Sequence, residues 1–129
     1  MSGKRIALWG LAFKPLTDDI RQSPAIDTLK HLLQAGADVY AYDPAAMTRT
    51  RGLLGELPNL FFGASAHDVS EGADALLLMT DWPLFCNPDF ERLHAVMKQP
   101  LIFDGRNQYD PQKLRALGFE YHCIGRPNR

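Results

Sequence analysis

An open, parallel α/β sheet of about six strands with helices on both faces is the fold that three features of this sequence predict. Short apolar runs without polar alternation recur along the chain, the mark of strands buried on both faces. Segments with helical spacing and helix-start residues stand between those runs, the order expected of βα units. The 129 residues, 46% hydrophobic and 22% charged, suit one domain with a core of its own and leave no length for a second.

Arg5 to Leu11 (RIALWGL) is the first such run and ends in a glycine-containing turn, so the chain opens directly on a core strand. Ala12 to Gln22 (AFKPLTDDIRQ) has no apolar period and reads as a long polar loop. Ser23-Pro24 offers an N-cap hydroxyl and a proline at the first helical position. Ala25, Leu29, Leu32 and Leu33 then follow at helical spacing until Gly36. Val39 to Tyr42 gives a second strand closed by Asp43-Pro44, and the unit from Arg5 to Asp43 reads as a right-handed βαβ crossover.

A helix over about Ala45 to Leu54, a strand at Leu60 to Phe62 and a short helix opened by Ser65 to Asp68 come next. Ala75 to Thr80 (ALLLMT) is continuously apolar and predicts a central strand. Asn87-Pro88 is expected to start a helix with Phe90, Leu93 and Met97 on one face, ahead of a strand at Leu101 to Asp104. Asp110-Pro111 opens a last helix ending at Gly118, and Glu120 to Ile124 makes the final strand. Six strands and about five helices in this order predict a doubly wound, Rossmann-like sheet.

Composition narrows the function. Lys plus Arg number 14 against 15 Asp plus Glu, a net charge of -1, which gives no basic surface for nucleic acid. The longest apolar runs fall far short of the ~20 residues that cross a bilayer, and Met1-Ser2-Gly3-Lys4 leads no signal-type stretch, so a cytoplasmic location is expected, with no membrane partner. Cys86 and Cys123 read as thiols, not as a disulfide.

In a doubly wound sheet, ligands sit outside the carboxyl ends of the strands. The loops there hold Phe13-Lys14 and Asp18 to Arg21, then Asp43, then Asp81-Trp82, then Asp104-Gly105-Arg106-Asn107. The first loop fails the dinucleotide fingerprint. Gly10 is in place, but Ala12 stands where the second glycine belongs and Pro15 where the turn into a helix should close. An anion held here needs side-chain charge: a point charge from Lys14 and a bidentate fork from Arg106. The alternative is that Lys14, Arg21 and Arg106 pair with Asp18, Asp19 and Asp104 as solvated loop charges, and composition does not choose between the two.

Other constellations are weaker. Cys86 with His94 lacks an oxyanion-type glycine pattern and reads as a packed thiol. His122 and Cys123, adjacent in a strand, point to opposite faces and cannot share a metal, so no metal site is expected. His31 and His67 read as surface residues of helices, and Trp82 and Phe85 as core or as an apolar floor to the site.

The segments GLAFKPLTDDIRQSPA (Gly10 to Ala25), TDWPLF (Thr80 to Phe85), FDGRNQYDP (Phe103 to Pro111) and GFEYHCIGR (Gly118 to Arg126) resemble the C-terminal domain of the UDP-glucose 6-dehydrogenases, in the UDP-glucose/GDP-mannose dehydrogenase family. The likeness runs from Lys4 to Arg126. It implies that residues 1–129 are a single UDP-binding domain of an oxidoreductase that takes UDP-glucose to UDP-glucuronate with two NAD, through a cysteine thioester. It also implies that the N-terminal NAD-binding domain, the central domain and the catalytic cysteine lie outside these residues, so that this fragment alone is inactive. Opening on a core strand after Met1-Ser2-Gly3 suits a truncated gene.

By the same resemblance Phe13, Lys14 and Arg106 are substrate-binding positions and Arg21 reaches NAD across an interdomain cleft; Asp18 and Asp19 are expected to orient the arginines and shape the loop. The partners implied are a UDP-sugar, the enzyme's own N-terminal and central domains, and a second subunit of a homodimer. Alternatives are the same domain of a GDP-mannose or UDP-N-acetylmannosamine dehydrogenase, or a free-standing, non-catalytic nucleotide-binding module.

Overall fold

The computed structural model describes residues 3–12, 16–21, 23–106 and 108–123. Its elements are β1 (Arg5–Trp9), α1 (Pro24–Gln34), β2 (Asp38–Tyr42), α2 (Met47–Leu54), β3 (Leu60–Phe62), α3 (Ala66–Ser70), β4 (Ala75–Leu78), a 3-10 turn (Pro83–Phe85), α4 (Phe90–Val96), β5 (Leu101–Asp104), α5 (Pro111–Ala116) and β6 (Glu120–Cys123). One six-stranded sheet runs in the order β3-β2-β1-β4-β5-β6. Every pairing is parallel, with Leu8 of β1 opposite Ala41 on one side and Leu77 on the other. The strand order reverses between β1 and β4, as in a doubly wound fold, and the crevice outside their carboxyl ends is the place for a ligand.

Side chains alternate across the strands into two cores. Ile6, Leu8, Val39 and Ala41 meet Ile26 and Leu29 of α1 and Ala46 beside α2. On the opposite face Trp9, Leu76, Leu78 and Ile102 meet Val69 of α3, Leu93 of α4 and Leu114 of α5. Trp9 and Phe85 stack at 5.2 Å beneath the rim, and both are fully buried. Among the described residues no helix covers the α1 side of β4 and β5. There Ala75, Leu77, Leu101 and the 42% exposed Phe103 border an open apolar groove of about 410 Å³, with Leu32 at its side.

Several boundaries differ from the sequence reading, each for a local reason. β1 stops at Trp9 because Gly10, at φ +99°, turns the chain against Thr80; β4 likewise stops at Leu78, before the loop Met79 to Trp82. The helix expected from Asn87-Pro88 begins at Phe90, where the Asp89 carboxylate accepts from the Arg92 amide and supplies the cap that Asn87 does not. Ser23 makes no side-chain cap of α1; its hydroxyl donates instead to the Leu11 carbonyl at 2.8 Å. Ser65 and Asp110 cap α3 and α5 as expected. Ile124 lies outside the described residues.

Candidate functional site

At the carboxyl end of the sheet, two buried carboxylates organise the loops. Asp43, at the end of β2 and 0% exposed, turns one oxygen toward β1 and β4: Oδ2 accepts from the amides of Leu11 (2.8 Å) and Ala12 (3.1 Å) and from the Trp82 indole (3.2 Å). Its Oδ1 accepts from the amides of Ala45 and Ala46, both at 2.8 Å, which forms the turn into α2. Asp104, at the end of β5 and also 0% exposed, accepts from the amides of Arg106 (2.9 Å), Gln108 (2.7 Å) and Tyr109 (2.9 Å) and from the Tyr121 hydroxyl (2.7 Å). A buried carboxylate is tolerable only when N–H and O–H groups replace its lost hydration, and both are so surrounded.

The step Leu11-Ala12 is held at every backbone polar atom. Its two amides go to Asp43, the Leu11 carbonyl accepts from the Ser23 hydroxyl, and the Ala12 carbonyl accepts from the Thr80 hydroxyl at 2.8 Å. Gly10 is required just before it, since a Cβ there would lie 2.5 Å from the Thr80 Cβ. Phe13 and Lys14, the substrate-binding positions implied by the resemblance, follow this step and lie outside the described residues, as do Pro15 and Asn107.

The described arginines of the rim take partly exposed carboxylates as partners. Arg106 stands on the loop after β5 and its Nε meets the Asp81 carboxylate on the loop after β4 at 3.4 Å, the two side chains 41% and 32% exposed. The alternative of solvated loop charges, with Asp104 among the partners of the cations, is not found at Arg106: Asp104 is buried and spent on backbone amides, one of them that of Arg106 itself. Arg21 forks onto Asp19 through Nε and Nη2, both at 3.0 Å, and its side chain is 88% exposed. That fork holds the Asp19 carboxyl down from 3.8 to about 2. Arg49 of α2, which sequence reasoning did not single out, takes Asp18 at 2.8 Å. Thr17, Asp18, Asp19, Arg21 and Arg49 border one polar depression, and Arg106 is not among its walls. The arginines thus occupy two stations of the rim, one at α2 and one at β4–β5.

The remaining candidates have structural surroundings. Trp82 is 7% exposed, part of the core and a hydrogen-bond donor to Asp43. Cys86 is half-buried with its Sγ 3.4 Å from the Trp82 carbonyl, and burial pushes its thiol up, against nucleophilic use. His94 sits edge-on to Phe119, His122 stacks on Phe103, and Cys123 packs on the opposite core. His67 meets Trp9 edge-on, half-buried rather than at the surface, and burial lowers its pKa. No group of three or more possible metal ligands occurs among the described residues, and no helix there is long and apolar enough to cross a membrane.

Comparison with known proteins converges on one family. Residues 7–111 match the family model described as UDP-glucose/GDP-mannose dehydrogenase family, UDP binding domain. A UDP-glucose 6-dehydrogenase of Pseudomonas aeruginosa is 44% identical over 131 residues, covering 97% of this chain and 28% of its own length. Among solved structures, a UDP-glucose dehydrogenase of Pyrobaculum islandicum aligns with TM-score 0.76 and 29% identity over 95% of this chain and 25% of that one. An NDP-N-acetyl-D-galactosaminuronic acid dehydrogenase of Methanosarcina mazei aligns with TM-score 0.81 and 27% identity over 98% and 26%. The chain therefore spans little more than a quarter of the relatives it matches, and it belongs to the UDP-glucose/GDP-mannose dehydrogenase family, as the UDP binding domain of that family.

Proposed function

We propose that this chain grips the UDP part of a nucleotide sugar at the carboxyl rim of its sheet, as one domain of an NAD-dependent UDP-glucose 6-dehydrogenase. The observation that carries the reading is the division of labour on the rim. The backbone amides that would cradle a pyrophosphate are held by Asp43, whereas Arg106 is exposed and paired loosely, at 3.4 Å, with a partly exposed carboxylate. A diphosphate arriving here meets side-chain cations, Arg106 as a fork and Lys14 as a point charge, with Phe13 as a further substrate-binding position.

The same amide occupancy argues against NAD on this domain's first loop. In this reading NAD lies on an N-terminal domain of a longer chain, Arg21 faces it across the cleft, and the cysteine and nicotinamide chemistry takes place away from these residues. Anchoring a remote, non-reacting diphosphate serves to orient the sugar's C6 for that chemistry. The open apolar groove over β4 and β5 supports a place in a larger assembly, covered there by the rest of the enzyme, which works as a cytoplasmic homodimer. The sugar is chosen largely outside these residues, and related enzymes acting on other nucleotide sugars share the fold.

Ligand-observed NMR with UDP, GDP and NAD together tests the reading. Selective UDP signals that vanish in Lys14→Ala support it, and selective GDP or NAD signals overturn it. In the complete enzyme, Lys14→Ala or Arg106→Ala is expected to raise KM for UDP-glucose at least tenfold, equivalent to ~1.4 kcal/mol of binding. Unchanged kinetics in both variants would sink the assignment.

A further inference from the structure

We propose that Asp43 is a specificity-determining and positioning residue: a built-in anion that fills the amide cradle at the end of β1, fixes the Leu11-Ala12 step that precedes Phe13 and Lys14 in the sequence, and closes that cradle to a ligand's phosphates. The proposal deepens the UDP reading and rests on it for the identity of the ligand.

In dinucleotide-binding domains with this strand order, the turn after β1 offers its backbone N–H groups to the pyrophosphate, and an acidic residue some twenty positions on, near the end of β2, faces the ribose. Here the acidic residue at the end of β2 turns back into the cradle. Its Oδ2 sits 2.8 Å and 3.1 Å from the Leu11 and Ala12 amides, the donors a phosphate oxygen would otherwise use. The Trp82 indole closes over the same oxygen at 3.2 Å, and the Asp43 side chain is 0% exposed. A ligand phosphate would have to expel a carboxylate that is also fixed through Oδ1 to Ala45 and Ala46. A second anion beside an immobile first one is repelled.

The positioning role follows from the same bonds. Three segments meet at one oxygen: the end of β1, the turn after β2 and the loop after β4. With Thr80 and Ser23 holding the two carbonyls, the Leu11-Ala12 step gives Phe13 and Lys14 a rigid point of departure. Asp43→Asn keeps the shape but replaces one accepting oxygen with an NH2 group. One of the two amide pairs, Leu11 and Ala12 or Ala45 and Ala46, then faces a donor.

The test compares wild type, Asp43→Asn and Asp43→Ala with Asp74→Asn, a variant of another buried carboxylate at the opposite end of the sheet, where it accepts from the Arg5 amide. Hydrogen exchange at one of the two amide pairs, Leu11 and Ala12 or Ala45 and Ala46, should quicken at least tenfold in Asp43→Asn, and both pairs should stay unchanged in Asp74→Asn. Inorganic phosphate, at matched ionic strength, should raise the Tm of Asp43→Ala by several degrees more than that of wild type, because the emptied cradle accepts an anion. If Asp43→Ala does not fold, the exchange rates in Asp43→Asn decide alone. Unchanged protection of both amide pairs, or equal phosphate effects on wild type and Asp43→Ala, would overturn the proposal. A UDP titration separates this claim from the reading beneath it. Equal UDP affinity in wild type and Asp43→Asn refutes positioning while leaving the UDP site intact. A wild type that ignores UDP refutes the UDP site, and the exchange and phosphate results still decide what Asp43 does.

Discussion

The carboxylates at the carboxyl end of the sheet divide by burial, and the division separates scaffold from working surface. Asp43 and Asp104 are 0% exposed and hold backbone amides. Asp18, Asp19 and Asp81, with side chains 49%, 38% and 32% exposed, hold arginines instead. A buried carboxylate with four or five donors cannot leave without stranding them, so it fixes the chain. An exposed one in water, as Asp18 and Asp19 are, gains little from its arginine and can release it to a stronger anion at small cost. The same residue type thus builds the rim in one setting and lends out its cations in the other.

That contrast can be broken from the buried side first. Asp104→Ala should cost about 3 kcal/mol or more, because the Arg106, Gln108 and Tyr109 amides and the Tyr121 hydroxyl lose their acceptor together. Urea denaturation would measure it, and a loss below about 1 kcal/mol would mean that water serves those donors equally well. Gly10→Ala should follow at about 2–3 kcal/mol, from its positive φ and its 2.5 Å approach to Thr80. Trp82→Phe removes one donor from Asp43 while keeping most of the ring, and about 1–2 kcal/mol is expected by the same assay.

The exposed side should respond least. Asp19→Asn is expected to lower Tm the least of these variants, since the pair it breaks is solvated. Its pH signature is nonetheless specific. The Asp19 carboxyl is held down to about 2 from 3.8 by its fork with Arg21, so the pair's contribution is complete above pH 3.8 and fades as pH falls through about 2. A carboxyl-carbon NMR titration should therefore find Asp19 still ionised at pH 3. An ordinary midpoint near 4 would dissolve the fork.

Much of the fold was legible because it rests on local signals. Continuous apolar runs such as Ala75 to Met79 named the buried strands, and Asp110-Pro111 marked a true helix start. The helix expected at Asn87-Pro88 was misplaced because Asp89, two residues on, is the residue whose carboxylate reaches an amide. The rim was legible as a place and as a set of cations, but its wiring was not. The alternative of solvated loop charges counted Asp104 among the partners of the cations, whereas Asp104 holds the Arg106 backbone, since burial at a strand end favours fixed amides over a mobile guanidinium. Asp43 carried one readable signal, an Asp-Pro pair closing an apolar strand, which marks an Asx turn. Its reach to Leu11, Ala12 and Trp82 depends on β1 and β4 lying next to each other, which no local pattern states.

The central claim is that the ligand's diphosphate meets side chains while the buried carboxylates keep the backbone. Nitrogen-15 NMR of this chain during a UDP titration reads both at once. The account predicts that the Arg106 Nε signal moves as UDP is added while the Leu11, Ala12 and Tyr109 amides stay in place. Displaced Leu11 and Ala12 amides with a still Arg106 would mean that the ligand takes the backbone cradle, and would contradict it.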